Sequence, residues 1–119
     1  MSHIQDVVTE LKRAPGVRGA ALLTSDGLVA ASALATGLDA DVIAGLASYM
    51  MMATARSLRE GGYGACTRLV LNATHGKAVL VELEDSYLVV LFDQFAEVEQ
   101  AEAEVDEAVE RIQQASRVL

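Results

Sequence analysis

Residues 66 to 93 read CTRLVLNATHGKAVLVELEDSYLVVLFD. Three strand-like runs stand out in this stretch, Cys66 to Asn72, Ala78 to Glu84 and Tyr87 to Asp93. They are separated by Thr74-His75-Gly76-Lys77 and by Asp85-Ser86. Gaps of that size accommodate hairpin turns and leave no room for a crossover helix, so the runs predict an antiparallel meander. Ala78-Val79-Leu80-Val81 and Leu88-Val89-Val90-Leu91-Phe92 are almost continuously apolar. An antiparallel sheet with one wet face would alternate, so both faces of this one are expected to be covered by helices, giving three layers.

Upstream of the meander, Asp39 is a natural N-cap for a long helix, with Asp41 where the helix dipole favours negative charge. That helix is expected to reach about Glu60, with Gly61-Gly62 closing it. Val17 to Thr24 and Leu28 to Ser32 read as two further strands joined by Ser25-Asp26-Gly27, a hairpin signal because Asp-Gly tolerates positive φ. Ser2 and Gln5 have capping-box spacing, and Ile4, Val7, Val8 and Leu11 repeat at helical intervals until Pro15-Gly16 ends the first helix. At the far end Val98, Ala101, Val105, Ala108, Val109, Ile112 and Leu119 mark the apolar stripe of a last helix. The predicted fold is α/β of the α+β type: a three-layer α/β/α sandwich in the order αββαβββα, one domain over residues 1–119.

The central helix carries the argument for a partner. On a helical wheel Val42, Ile43, Leu46, Ala47, Met50 and Leu58 form one broad apolar face, expected to lie on the sheet. The opposite side holds Ala44, Ser48, Met51, Met52 and Ala55, with Arg59 its one charge. A helix that is apolar nearly all round is buried nearly all round, and a 119-residue chain has no further element to cover the second side. The expected cover is a second copy, admitted closely by the small residues and packed by the methionines.

Composition bounds the function. The hydrophobic fraction of 52% and mean hydropathy of +0.30 exclude disorder. Seventeen acids against nine bases give a net charge of −8, which repels a phosphate backbone, and aromatic residues for base stacking are scarce, so nucleic-acid binding is not expected. No apolar stretch is long enough for a membrane span, and no signal-peptide pattern opens the chain. The lone Cys66 fits a reducing compartment, and a cytoplasmic location is expected.

Candidate chemistry is thin. Gly61-Gly62-Tyr63-Gly64 follows a helix instead of opening one, so it offers a phosphate no helix N-terminus and reads as a cap. Gly76-Lys77 lacks the Ser or Thr and the upstream glycine of a phosphate-binding loop. Cys66 and His75 lack the third group that would orient a thiol catalyst's base. The carboxylates from Glu97 to Glu110 read as a solvated helix face, and no spacing of His, Cys and acids matches a metal site. No catalytic, cofactor-binding or metal-binding residue is expected.

One set of residues resembles the Roadblock/LC7 family, which includes MglB-like bacterial regulators: Leu11, Pro15-Gly16-Val17, Gly19-Ala20, Leu22 and Asp26-Gly27-Leu28 ahead of Ala31-Ser32. The long helix and the strands Val79 to Val81 and Tyr87 to Asp93 follow in the same order. The resemblance implies a five-stranded antiparallel sheet ordered 2-1-5-4-3, with the middle helix on one face and the terminal helices on the other. It further implies dimerisation through that helix and the third strand, which places Cys66, Arg68 and Val70 at the edge facing the copy. Arg68 also reads as a charged device against unwanted pairing. The implied task is to bind a Ras-like small GTPase as activator, scaffold or other regulator. Arg13, Arg18, Arg56 and Arg59 are not ranked for any role at the nucleotide. The competing expectations are a small-ligand sensor of profilin-like or PAS-like type and a purely structural subunit of a multiprotein complex.

Overall fold

The computed structural model describes residues 3–117. Helix α1 (His3–Leu11) leads into strands β1 (Val17–Thr24) and β2 (Val29–Leu34), then helix α2 (Ala40–Glu60). Strands β3 (Arg68–Ala73), β4 (Gly76–Glu82) and β5 (Ser86–Phe92) follow, and a 3-10 turn, Val98–Ala101, opens helix α3 (Glu102–Arg117). All four strand pairings are antiparallel, in the order β2-β1-β5-β4-β3. The element order and the sheet order are those expected. The Ser2 half of the capping box and Leu119 lie outside the described residues.

The continuous apolarity of β4 and β5 has the expected cause. Val79, Val81, Leu88, Val90 and Phe92 join Val7, Val8 and Leu11 of α1 and Val105, Ala108 and Ile112 of α3 in one core. Leu80 and Val89, with Ala21 and Leu23 of β1, face the other way and form a second core with Ala44, Ala47 and Met51 of α2. Each fully buried leucine or valine contributes roughly 1.5–3 kcal/mol relative to exposure. The sheet is therefore held from both sides.

Several local signals act as written. Asp39 accepts hydrogen bonds from the N–H groups of Asp41 (2.9 Å) and Val42 (3.3 Å) and so caps α2. At the other end Gly62 takes φ +83°. Its N–H donates to the Arg59 carbonyl and that of Tyr63 to the Leu58 carbonyl, the paired bonds of a Schellman cap. Gly61, by contrast, stays right-handed at φ −84°, so the left-handed residue is the second glycine of the pair. Boundaries shift elsewhere by a residue or two. Strand β2 starts at Val29 because Leu28 closes the turn, its N–H donating to Thr24 Oγ1. Gly76 pairs with Ala73, which shrinks the β3–β4 turn to Thr74-His75 and moves β4 forward.

The wheel reading of α2 is corrected in part: Val42 and Leu46 leave the expected sheet face, and Ala44 and Met51 join it. Ala44 and Met51 lie in the second core at 2% and 1% exposure, whereas Val42 and Leu46 stand 57% and 63% exposed. Ala47 is on the sheet as expected, and Ile43, Met50 and Leu58 pack there in part. The cause is crowding. Leu23, Leu80 and Val89 project from the sheet, so the helix approaches with Ala44, Ala47 and the flexible Met51 and turns Val42, Leu46 and Tyr49 outward.

Candidate interaction face

Val42, Leu46, Tyr49 and Ala53 recur at intervals of four, three and four along the outer crest of α2, and all are exposed. That spacing forms a seam suited to a second helix. The wheel places Val42 and Leu46 of this crest on the sheet side and includes neither Tyr49 nor Ala53 in a face. Beside the crest, Ile43, Leu46 and Met50 face Leu71, Ala78, Leu80 and Leu91 across an apolar trough of about 230 Å³. Helix α2 leans toward β1 and β2 and leaves the β3 side of the sheet open.

Strand β3 forms the edge beyond that trough. One of its sides pairs with β4 and the other has no strand neighbour among the described residues, which leaves backbone groups ready for a further strand. Val70, on the face opposite the trough, lines a second groove of about 210 Å³ with Val98, Glu99, Glu102 and Val105. Arg68 Nη2 donates to Asp106 Oδ1 at 2.9 Å and so braces the edge strand to α3. A second brace, Arg111 Nη1 to Glu10 Oε1 at 2.6 Å, joins α3 to α1. The hydrogen bond and charge of Arg111 hold the Glu10 carboxyl below its ordinary pKa.

The residues expected at the interface thus divide. Met52, Arg59, Arg68 and Val70 are on the surface, and Ser48 and Ala55 are half-buried along the flank. Ala44, Met51 and Cys66 are corrected: all three are buried within their own protomer. The Cys66 thiol lies 3.7 Å from the Arg68 carbonyl, while His75 stands exposed at the β3–β4 turn. Lys77 Nζ donates to the Ala96 carbonyl at 2.6 Å. Among the described residues no group of three or more His, Cys, Asp or Glu is placed to hold a metal, and no helix is long and apolar enough to cross a membrane.

A five-stranded antiparallel sheet between one long helix and two terminal helices, with an apolar helix crest beside an open edge strand, defines a class of small α+β domains. Residues 3–92 match the Roadblock/LC7 domain model, and the chain belongs to that family. Its relatives include the uncharacterized protein MJ0714 of Methanocaldococcus jannaschii, 36% identical over 92 residues, which are 77% of this chain and 78% of that one. In fold it is similar to Myxococcus xanthus MglB, with a TM-score of 0.91 at 16% identity over 100% of this chain and 98% of that one. The Roadblock/LC7 domain of Streptomyces avermitilis has a TM-score of 0.83 at 25% identity, covering 96% of this chain and 98% of its own. The likeness to MglB spans α3 as well, beyond the residues that the family model matches.

Proposed function

We propose that this chain is a non-enzymatic, homodimeric regulator or scaffold that binds a Ras-like small GTPase in the cytoplasm and modulates its nucleotide cycle. The observation that carries the first half is the apolar crest Val42, Leu46 and Tyr49 standing exposed beside an unpaired edge strand. A monomer of this size rarely leaves such a surface open. A second copy packs its own crest there and extends the sheet through β3, with Met52, Arg59 and Val70 at the margins. Family membership and the fold shared with MglB support the second half. The chemistry belongs to the GTPase, and the dimer supplies a surface spanning both protomers.

The test is GTP turnover by a small GTPase encoded beside this protein, measured with and without it alongside a binding assay. Binding with a changed turnover rate is the result expected of a regulator, and binding without a rate change marks a scaffold. Absence of binding to any such GTPase contradicts the reading and leaves a structural subunit.

A further inference from the structure

The phase of the hydrogen bonds along β3 decides what its outer edge offers. The Glu82 N–H donates to the Thr67 carbonyl at 3.0 Å, and these two residues stand opposite each other in continuation of the β3–β4 register. In an antiparallel ladder, residues that exchange both bonds with the neighbouring strand alternate with residues that exchange neither. Leu69, Leu71 and Ala73 therefore turn their backbone groups inward to β4, and Arg68, Val70 and Asn72 turn theirs outward. Among the described residues no strand lies beyond them. Alternate residues share a face, so Arg68, Val70 and Asn72 also point their side chains to the α3 side, where Val70 lines the groove with Glu99 and Glu102. Stepping from Arg68 to Val70 along β3 moves back from Asp106 to Glu102 and Glu99 along α3. Asn72 thus lies toward the Glu99 end. Arg68 is held by Asp106, whereas Glu99 and Glu102 are exposed and have no ion-pair or side-chain hydrogen-bond partner among the described residues.

We propose that the second copy joins β3 in one register, Val70 opposite the partner's Val70, and that the partner's Arg68 completes the groove by pairing with Glu99 and Glu102. This rests on the dimer reading above and specifies how that dimer is built. Two copies of one strand related by a two-fold axis, with their outward residues facing each other, must set some residue opposite itself. With Val70 in that place, Arg68 faces the partner's Asn72, and every outward N–H and C=O of the strand has a counterpart. Centring the axis on Leu69 leaves Asn72 with no strand residue opposite, and centring it on Leu71 leaves Arg68 with none. Backbone groups left unpaired in an interface carry a cost, so the Val70 register is favoured. It also sets Leu69 beside the partner's Leu71 on the α2 side. On the α3 side it carries the partner's Arg68 to the Asn72 end of the groove, where the unpartnered acids lie. A guanidinium has donors enough to serve those acids beside the bond it makes to Asp106. Each protomer thereby lends the other a cation, and Arg68 selects a copy of this chain over other strand edges.

Charge exchange, read by sedimentation equilibrium, tests the proposal. Arg68→Glu in one chain and Glu99→Lys with Glu102→Lys in another each set like charges face to face at both ends of a homodimer. Each variant should self-associate at least about tenfold more weakly than the parent, with circular dichroism unchanged. Mixed in equal amounts, the two chains oppose unlike charges at both ends and should form a heterodimer with a Kd within about threefold of the parent's. Effects inside one protomer, including loss of the bond to Asp106, persist in the mixture, so the recovery reports contact between chains. The register is read separately in a Cys66→Ser background. Val70→Cys should oxidise to a covalent dimer, because Cα atoms of such a pair lie about 5.5 Å apart, within disulfide reach. Leu69→Cys and Leu71→Cys should stay unlinked, each displaced from its own copy by about 8 Å. Charge variants that associate as the parent does, a mixture no tighter than its components, or oxidation through residue 69 or 71 in place of 70 overturns the proposal while the dimer stands. A parent chain that sediments as a monomer overturns both.

Discussion

Gly27 and Ser48 meet so closely that a Cβ on residue 27 would sit 2.9 Å from the Ser48 hydroxyl. The β1–β2 turn is thus seated on the flank of α2, and the contact helps set how low the helix lies on the sheet. Gly27 also holds φ +92°, a conformation that L side chains adopt at a cost. Gly27→Ala combines that strain with the clash and is expected to destabilise the fold by about 1–3 kcal/mol. Urea unfolding checks it: the midpoint should fall with the slope unchanged.

The Glu10–Arg111 brace makes part of the stability depend on pH. The Glu10 carboxyl is held below its ordinary value by the Arg111 hydrogen bond and charge, so the folded state binds its proton less readily than the unfolded chain does. That contribution is present above the ordinary glutamate range and is lost as the pH falls through the lowered value. Glu10→Gln should therefore lower the melting temperature at neutral pH and make little difference in acid. A deficit of equal size at both pH values would contradict the assignment.

Gly45 lies on the exposed side of α2, where an added Cβ meets nothing within 4 Å. Glycine inside a helix is about 0.8–1.0 kcal/mol less favourable than alanine. Gly45→Ala should raise protomer stability by up to about that amount, read from urea unfolding at low protein concentration.

Much of this architecture is written locally. Asp39 announces the start of α2, Asp26-Gly27 the first hairpin, and the near-continuous run from Leu88 to Phe92 the presence of two covered faces. What periodicity does not carry is the depth of packing. A wheel centres the apolar face on Val42, Ile43 and Leu46 and leaves Ala44 and Met51 on the other side, because it contains no term for Leu23, Leu80 and Val89 filling the space from the sheet. For the same reason the wheel puts Ala44 and Met51 on the outer side, where the structure buries both.

The claim on which the account rests is that the crest of α2 and the β3 edge meet a second copy. Two substitutions on opposite sides of the helix separate this from simple folding. Leu46→Asp, on the exposed crest, should leave the circular dichroism of the protomer intact and weaken association by at least about tenfold. Met51→Asp places an unpaired charge in the second core and should prevent folding.

Sedimentation equilibrium of the parent chain beside Leu46→Asp is the most direct measurement. The parent is expected at twice the 12.6 kDa of one chain, and the variant at the single-chain mass with its secondary structure retained. A parent chain that sediments as a monomer, or a Leu46→Asp variant that remains a dimer, would contradict the account.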